Sequence, residues 1–404
     1  MTRARGFFKY ALVLGLIAAI GPFAVDMYLP ALPSIKATFA VDTGTAQLSL
    51  VAFFAALAIF QLVYGPLSDM VGRRPPLYAG LALFLLGSVG CALAPNIAAL
   101  IAFRFVQGVG GCAGMVITLA IVRDLYSGAD AVRLLSLLML VFSISPILSP
   151  VVGSLVVAHA SWRVIFWAVI GAALVALALL TLFLPEPRPP AARVDSSMRG
   201  ALAAYRKLLG DPSFLGLVFI GSFGMAAFFC YLGNSSFILI EHYGLSPTEY
   251  SLCFSVNAVA FFSAAQGNGR LAERYGMRRV VRAGTAGFAA AMAALAVLTL
   301  AGVDQLPVMV AFLFAGFGCL GLVIPNAAVL ALDPHADISG TASALMGTLQ
   351  FVTGSAIMAI SGALGDGTAR PMVLAIAGCA LTAFALARIT LKNQYDRGLV
   401  TATS

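Results

Sequence analysis

Charge is the scarcest property of this 404-residue chain. Charged residues make up 10% of it and hydrophobic residues 61%, whereas a soluble domain carries about 25% charged residues. The deficit excludes an ordinary water-soluble domain and indicates a chain whose solvent is lipid. Histidine is scarce too, with three residues, and none of the six cysteines has metal-ligand spacing, so we expect no metal centre or other cofactor. The absence of a nucleophile paired with a base argues against a membrane-embedded enzyme.

The chain contains many long apolar runs. Each run has about 20 residues, the length that crosses a bilayer as a helix. The first run carries an acid followed by Pro30 and Pro33, which does not fit a signal peptide. The pattern predicts an all-α membrane protein with twelve transmembrane helices. The predicted spans are 8–30, 44–66, 76–94, 96–122, 132–158, 163–184, 212–240, 247–269, 280–301, 306–331, 338–363 and 370–391.

Most of the basic residues behind the net charge of +8 lie on one side of this predicted topology. Of the 24 Lys and Arg residues, 20 lie at the termini, in the loops or at the span ends of one side. Lys36, Arg163 and Arg370 lie on the other side, and Arg104 lies within a span. Because positive residues mark the cytoplasmic side, we expect both termini in the cytoplasm. The basic charge therefore indicates topology and not a nucleic-acid partner.

One polar stretch divides the apolar runs six and six. It holds four prolines between Pro185 and Pro190, followed by several arginines, and proline with charge excludes a span. We expect an N-terminal six-helix bundle at 1–184, a cytoplasmic linker at 185–210 and a C-terminal six-helix bundle at 211–404. Within the linker, 201–209 predicts a short amphipathic helix on the membrane surface.

The loop at 65–75, Gly-Pro-Leu-Ser-Asp-Met-Val-Gly-Arg-Arg-Pro, is repeated at 269–279 after 204 residues (269 − 65). Six positions agree in kind, with Gly65, Leu67, Asp69, Gly72, Arg74 and Gly80 falling on Gly269, Leu271, Glu273, Gly276, Arg278 and Gly284. A repeat at half the chain length indicates a duplicated membrane protein. Taken alone, the first copy also fits a simple positively charged anchor loop.

The motif Gly-x-Leu-Ser-Asp-x-x-Gly-Arg-Arg-Pro resembles the signature loop between helices 2 and 3 of the major facilitator superfamily, and the resemblance covers nearly the whole chain. It implies a twelve-helix fold of two pseudo-symmetric six-helix bundles, with the substrate site at the midplane between them. It also implies a gating pair of Arg73 with Asp124, while Asp69 caps the neighbouring half-helix. The gating residues so implied are Gly65, Asp69, Gly72, Arg73, Arg74 and Asp124. The alternative is an ordinary surface salt bridge, worth about 0–1 kcal/mol.

Asp26 is the most informative charge, since it lies inside the first span. A carboxylate there is costly and is normally kept because it faces a cavity and binds a cation or a proton. The alternative is a hydrated acid near the far interface. The sequence Asp-Met-Tyr-Leu-Pro-Ala-Leu-Pro at 26–33 resembles helix 1 of the Bcr/CflA drug:proton antiporters, the bicyclomycin and chloramphenicol resistance type. The resemblance implies that Asp26 couples proton and substrate, with Met27 and Tyr28 beside it in the cavity.

Arg104 is the second charge inside a first-half span. It opens the sequence Arg-Phe-Val-Gln-Gly at 104–108, which resembles the helix 4 motif that the superfamily uses in proton transfer. A guanidinium stays charged at physiological pH, so Arg104 is expected to act on Asp26, with Gln107 on the same helix face. The alternative is that Arg104 extends to the near interface.

The segment 143–154 resembles the antiporter motif Gly-x-x-x-Gly-Pro-x-x-Gly-Gly, with Pro150 and Gly153 in place. The resemblance adds Pro150 and Gly153 to the expected gating residues. Serines replace the other glycines, at Ser145, Ser149 and Ser154. This departure weakens the implied antiport, although small side chains still allow close helix packing. A kink at the prolines is the alternative, and both interpretations can hold together.

The second-half spans contain no acid well inside and offer amides and aromatic rings instead. Such groups suit poorly charged, amphipathic compounds better than sugars, which need many fixed polar partners. For any single phenylalanine, core packing or lipid contact is the alternative. The expected cavity residues are Met27, Tyr28 and Gln107 in the first half and Phe228, Tyr231, Asn234, Asn257, Phe261 and Gln350 in the second.

The resemblance implies a proton-coupled multidrug or antibiotic efflux transporter that exports small amphipathic compounds by alternating access. It is expected to be a monomer in the bacterial inner membrane, with the proton as coupling ion. Two alternatives stay open on the same fold. One is an exporter of an endogenous metabolite such as an amino acid or siderophore, and the other is a proton-coupled uptake symporter, against which the helix 5 motif argues.

Overall fold

A computed structural model describes residues 2–126, 128–187 and 198–402. Within these ranges every regular element is helical. The α-helices are α1 Thr2–Asp26, α2 Leu32–Phe39, α3 Thr43–Val71, α4 Arg74–Ala92, α5 Ile97–Leu125, α6 Gly128–His159, α7 Arg163–Phe183, α8 Met198–Leu209, α9 Pro212–Ser236, α10 Pro247–Tyr275, α11 Met277–Leu300, α12 Leu306–Leu332, α13 Ser339–Ala363 and α14 Arg370–Ala402. Short 3-10 turns at Leu29–Ala31 and Asp333–Ile338 and a π turn at Phe237–His242 extend three of them.

Twelve long helices occupy the predicted spans, which confirms the all-α membrane class. Ten stretches of the described chain are long and apolar enough to cross a membrane, and one of them, Leu306–Ala363, contains both α12 and α13. The twelfth helix is α10, which carries Asn257, Gln266 and Asn268 and does not reach that apolar composition.

The first span is longer than predicted and is broken. The prediction of 8–30 ends it at Pro30, but α1 ends at Asp26, a 3-10 turn follows, and α2 continues to Phe39. Pro30 and Pro33 each lie in the first turn of a helical segment, where the missing N–H has no intrahelical partner to lose. The prolines therefore start new segments instead of ending the span.

The described chain divides into two compact units. The first unit is Met1–Leu202 with Ser246–Ser251, and the second unit is Ala203–Leu245 with Leu252–Ser404. In the first unit, α5 packs against α3 and α4, and α1 packs against α6 and α7. In the second unit, α9 packs against α12, α13 and α14, and α11 against α12 and α14. The predicted boundaries at 184 and 210 stay a prediction.

The two repeated loops turn with the same backbone conformation. Gly72 directly follows α3 with φ 98° and ψ 168°, and Gly276 directly follows α10 with φ 83° and ψ 139°. A side chain at either position would be strained, because positive φ is the region that favours glycine. The repeat read from the sequence is thus a repeat of backbone geometry.

A cluster of rings closes one end of the first unit. Trp162 is buried, its Nε1 donates to Thr38 Oγ1 at 3.1 Å, and its ring lies 5.8 Å from that of Phe39. The guanidinium of Arg163 lies 4.3 Å from the centre of the Trp162 ring and donates to the carbonyl oxygen of Ala94 at 2.9 Å. These contacts attach α2 and the α4–α5 connection to the start of α7.

Candidate functional site

Asp26 lies at the break between α1 and the following 3-10 turn, and it is 5% exposed. Its Oδ2 accepts a hydrogen bond from Ser145 Oγ of α6 at 3.0 Å. The hydroxyls of Ser145 and Ser149, one helical turn apart, lie 3.1 Å from each other. Ser145 and Ser149 are both fully buried. The acid is therefore buried in this structure rather than exposed at an interface, and its role in coupling stays a prediction.

Arg104 is fully buried in α5 and does not pair with Asp26. No ion pair within 4 Å joins the two among the residues that the structure describes. Instead Nη1 donates to the carbonyl oxygen of Ala24 at 3.2 Å and to Gln107 Oε1 at 2.5 Å. Arg104 therefore contacts the backbone two residues before Asp26 and not its carboxylate, and the expectation that it acts on Asp26 stays a prediction. The alternative of extension to the near interface is wrong.

Two aromatic rings enclose the Arg104 guanidinium. The centres of the Tyr28 and Phe53 rings each lie 4.5 Å from its central carbon, an arrangement in which ring quadrupoles stabilise a cation. Its Nε and Nη2 have no hydrogen-bond partner within the described chain. The Tyr28 hydroxyl lies 2.8 Å from Ser49 Oγ. Rings and not carboxylates thus compensate this buried charge.

Gln107 continues the network into α4. Its Nε2 donates to Ser88 Oγ at 2.8 Å, and Ser88 Oγ donates in turn to the carbonyl oxygen of Phe84. The helices approach closely at this point, since a β-carbon built on Gly87 would lie 2.7 Å from the Gln107 Cα. Both groups of the Gln107 amide are therefore bonded within the first unit, where the sequence predicted a cavity residue.

Gly153 of α6 packs directly on the break in α1. A β-carbon built there would overlap the carbonyl oxygen of Met27. Pro146 and Pro150 lie inside α6, which remains helical across both. The close packing expected from the helix 5 motif is present, and its partner is the residue that follows Asp26.

Arg73 joins three elements of the first unit through its guanidinium. Nε lies 2.6 Å from Asp124 Oδ2, Nη2 lies 2.7 Å from Asp69 Oδ1, and Nη1 donates to Ser68 Oγ at 2.7 Å. Ser68 Oγ donates in turn to the carbonyl oxygen of Gly65. The expected pair of Arg73 with Asp124 is present. We call Ser68, Asp69, Arg73 and Asp124 the arginine cluster.

Glu186 is part of this region and was missed by the sequence analysis. Its carboxylate oxygens accept from the backbone N–H groups of Arg73 and Arg74 at 2.8 and 2.9 Å, so it caps the start of α4. Arg74 Nη2 donates to the Tyr78 hydroxyl at 2.7 Å. The only sequence signal for this contact is an acid between Pro185 and Pro187. It does not indicate that the partner is Arg73, 113 residues earlier in the chain.

Three predicted polar residues of the second unit form hydrogen bonds within that unit. Asn234 Nδ2 donates to Ser361 Oγ of α13 and to the carbonyl oxygen of Cys230, both at 2.8 Å. Asn257 Nδ2 donates to the Tyr231 hydroxyl at 2.9 Å, and Asn257 Oδ1 has no partner within the described chain. All three predicted residues are buried. Their role in a substrate cavity stays a prediction.

The aromatic residues of α9 form a stacked group in the second unit. The Tyr231 ring is stacked on Phe254 at 5.5 Å and meets the edge of Phe317 at 5.2 Å, while Phe228 lies 6.0 Å from Phe317. Phe261 and Gln350 are half-buried.

Among the described residues no group of three or more His, Cys, Asp or Glu side chains could hold a metal ion.

Known proteins match this chain over most of its length. The family model described as Major Facilitator Superfamily matches residues 14–358. The MFS-type transporter YdgK of Bacillus subtilis (strain 168) is 34% identical over 364 residues, 90% of each chain. The bicyclomycin resistance protein homolog of Haemophilus influenzae is 28% identical and covers 98% of this chain and 100% of its own. Multidrug resistance protein D of Escherichia coli (strain K12) is 29% identical over 86% of both.

The solved structures agree with the sequence relatives. The crystal structure of a D-xylose-proton symporter superposes with a TM-score of 0.71, covering 94% of this chain and 97% of its own. Its sequence identity is 18%, so this likeness concerns the fold alone.

Proposed function

The chain belongs to the major facilitator superfamily and is of its Bcr/CflA type, and on this premise we propose that it exports small amphipathic compounds in exchange for protons. The predicted family and fold class are confirmed, and the chain is a multi-pass membrane transporter and not an enzyme. The names of two relatives, a bicyclomycin resistance homolog and a multidrug resistance protein, support antibiotics as substrates. The proposed location is the bacterial inner membrane, with both termini in the cytoplasm.

The observation that carries proton coupling is the neutral surrounding of Asp26. Its hydrogen-bond partner is a serine, and no cation lies within ion-pair distance in the described part of the chain. Such a carboxyl group changes its charge without breaking a salt bridge, which suits a residue that loads and releases a proton. The proton enters from outside, and its binding and that of the substrate compete at Asp26.

Ser145 and Ser149 extend this site along α6. A hydroxyl accepts one proton and donates another, so the pair provides a hydrogen-bonded path of two groups to Asp26. In the predicted topology α6 runs outward, which places Ser149 on the outer side of Ser145. The serines that replace glycines in the antiporter motif thus supply partners for the acid.

Arg104 is assigned a positioning role in this proposal. Its bond to the Ala24 carbonyl fixes the last turn of α1, and the Tyr28 ring against its guanidinium fixes the residues after the break. Asp26 lies between these two contacts. A permanently charged group that holds the helix on both sides of the acid keeps the carboxyl aimed at Ser145.

The substrate is proposed to bind to the apolar and amide groups predicted for both halves. Among the predicted residues of the second unit, Phe228 and Phe261 are half-buried and offer apolar ring surface, and the buried Asn257 Oδ1 is an acceptor without a partner in the described chain. The arginine cluster is proposed as the gating element, formed in one conformation and broken in the other.

The test measures the internal pH of inverted, energised vesicles as chloramphenicol-like and bicyclic compounds are added. In the wild type, added substrate is expected to release protons from the acidified interior. Asp26→Asn is expected to abolish this release while the protein still inserts. Asp42→Asn is the matched control, because Asp42 caps α3 by accepting from Thr45 N at 2.9 Å and asparagine caps a helix equally well.

Each result separates the alternatives. Normal proton release by Asp26→Asn would remove this residue from the mechanism. A wild type that stays silent to every antibiotic would favour the exporter of an endogenous metabolite. Substrate that leaves the vesicle interior together with protons would indicate the uptake symporter.

A further inference from the structure

A groove lies between α13 and α14 in the second unit. Its volume is ≈ 590 Å³, and it is lined by Phe223 of α9 and by aliphatic side chains such as Ile357, Ile360 and Leu374. Ile360 is 55% exposed and Leu374 is 43% exposed. A groove with such walls on a membrane helix pair fits hydrocarbon and excludes a polar solute.

The groove has the depth of one membrane leaflet. It reaches along α14 from Arg370 to Thr382, 12 residues (382 − 370) that rise about 18 Å in an α-helix. Half of the hydrocarbon core of a bilayer is about 15 Å. Arg370 is at the end of the groove that the topology places at the outer interface. The groove therefore accommodates an acyl chain whose headgroup lies at Arg370.

The outer end of the groove carries one positive and one negative group. Neither a hydrogen bond from the Arg370 guanidinium nor an ion pair within 4 Å is found among the described residues. Asp366 Oδ1 accepts from Thr368 Oγ1 at 2.7 Å and from Thr368 N at 2.9 Å, which leaves Oδ2 open. The Thr368 hydroxyl, and after it the Thr368 N–H and the Arg370 charge, lower the pKa of Asp366. Both side chains are exposed, so a headgroup at the outer interface can reach them.

The first unit contains a matching arginine that is occupied. Arg163 begins α7 as Arg370 begins α14, but Arg163 donates to the Ala94 carbonyl oxygen and lies against the Trp162 ring. The Arg370 guanidinium makes no such hydrogen bond in the described chain, and its charged neighbours are Asp366 and Asp304, whose pKa values it lowers. The comparison indicates that the donor groups of the second arginine stay available to an anionic ligand.

We propose that the groove binds a phospholipid with a phosphoethanolamine headgroup. One acyl chain lies between α13 and α14, the phosphate contacts the Arg370 guanidinium, and the ammonium contacts Asp366 Oδ2. An arginine fork matches phosphate geometry, and a primary ammonium donates hydrogen bonds that a choline group cannot. An anionic phosphoglycerol headgroup would leave the Asp366 carboxylate without a cation.

The test measures lipid retention by the purified full-length protein in native mass spectrometry. Equimolar dioleoyl phosphatidylethanolamine, phosphatidylcholine and phosphatidylglycerol compete for the delipidated protein. The wild type is expected to retain the ethanolamine lipid preferentially. Arg370→Ala is expected to weaken its retention about tenfold, the size expected for a lost charge-assisted hydrogen bond. Asp366→Asn is expected to remove the preference over phosphatidylglycerol.

Gly378→Phe tests the groove itself. A β-carbon on Gly378 meets no atom within 4 Å, so the new ring fills the groove without a clash and should displace the acyl chain. Gly171→Phe is the matched control, since Gly171 is equally open and lies eight residues after the start of α7, as Gly378 does after the start of α14.

Two results would overturn the proposal. One is equal retention of the three lipids, which would indicate an apolar groove that does not select a headgroup. The other is unchanged retention in Gly378→Phe, which would place the bound lipid elsewhere. If Arg370→Ala does not insert, Gly378→Phe with its control Gly171→Phe and Asp366→Asn still test whether the groove binds this lipid.

Discussion

Asp26 and Arg104 are two buried charges of the first unit, and they are held in different ways. Arg104 is held by two acceptors and two rings, so its charge is permanent and compensated. Asp26 is held by one hydroxyl. At the scale of residues, the contacts of Arg104 suit a positioning role, and those of Asp26 suit a group that gains and loses a proton.

Ser145→Ala is expected to reduce substrate-induced proton release about tenfold, because a hydrogen bond to a charged group contributes about 1.5–3 kcal/mol. The assay is the inverted-vesicle measurement. Ser154→Ala is the matched control, since this serine is buried in the same helix and donates to the Val151 carbonyl oxygen of its own turn. Equal losses in both variants would assign Ser145 to helix packing alone.

Gly153→Ala is expected to destabilise the purified protein by about 1–3 kcal/mol through overpacking, because the added methyl group would overlap the Met27 carbonyl oxygen. Thermal unfolding in detergent measures the change. Gly65→Ala should not lower the melting temperature, because a β-carbon at Gly65 meets no atom within 4 Å and alanine favours the helix. A silent Gly153→Ala would contradict the close packing of α6 on the break.

Sequence reasoning located Asp26, Arg104 and Gln107 because charge and amide groups inside apolar spans are rare enough to stand out. It missed Ser145 and Glu186 as partners, since serine is unremarkable in a membrane helix and these hydrogen bonds join residues 119 and 113 positions apart. Ser145 appeared only as a departure from a glycine motif. Nothing local to either residue specifies what it contacts.

At the scale of elements, the predicted spans were correct in number, and most of them were shorter than the helices that the structure contains. Composition reveals only the part of a helix that hydrocarbon surrounds, whereas hydrogen bonding continues α3 to Val71 and α5 to Leu125. The extra turns carry Asp69 and Asp124 into the arginine cluster. The longer helices are what bring the gating candidates together.

Asp124→Asn is expected to destabilise the protein more than Asp69→Asn. Asp124 is 19% exposed and contacts a buried guanidinium, so its loss should cost about 1.5–3 kcal/mol. Asp69 is 37% exposed, and solvent limits its effect to about 0–1 kcal/mol. Thermal unfolding of the two variants gives the order. The reverse order would show that Arg73 is held mainly by its own helix.

The α9–α10 and α11–α12 connections are joined at Asp304. Its carboxylate accepts from the Tyr243 hydroxyl at 2.5 Å and lies 2.7 Å from His242 Nε2. The Tyr243 hydroxyl first, and then His242 and Arg370, lower the pKa of Asp304. A lowered folded-state pKa stabilises the fold above the unfolded value of about 3.9, and this stabilisation is lost as pH falls through the folded-state value.

Tyr243→Phe should therefore lower the melting temperature at neutral pH. The loss in free energy of unfolding should be less than about 1 kcal/mol, because Asp304 is half exposed. The difference from wild type should vanish as the pH falls below the pKa of Asp304. Melting curves across acidic pH measure it. Tyr275→Phe, which alters an exposed tyrosine of α10, should follow the wild type throughout, and a pH-independent loss in Tyr243→Phe would point to ring packing.

At the scale of the whole molecule, duplication has kept the backbone and changed the side chains. Gly72 and Gly276 share one backbone conformation, yet Arg73 has Met277 at the corresponding position. The sequence revealed the repeat because a backbone position with positive φ favours glycine, so both loops keep one. The sequence did not reveal the function of each loop, since that depends on which residues of other helices pack near it.

The positive-inside pattern predicts where each loop lies. Alkaline phosphatase fused at the C-terminus or inserted at residue 276 is expected to be inactive, because this enzyme matures only outside the cytoplasm. The same enzyme inserted at residue 303, between α11 and α12, is expected to be active. Expression levels of the three fusions provide the control. The opposite pattern of activity would invert the proposed topology.

The ring cluster at the start of α7 has a spectroscopic consequence. The chain contains two tryptophans, Trp162 and Trp167, and both lie within the first unit. Trp162 is buried beside the Arg163 cation, whereas Trp167 is 48% exposed. Intrinsic tryptophan fluorescence therefore reports only on the first unit, with one buried and one exposed emitter. A quencher dissolved in the lipid phase would dim Trp167 selectively and leave the Trp162 emission to follow the contact between α2 and α7.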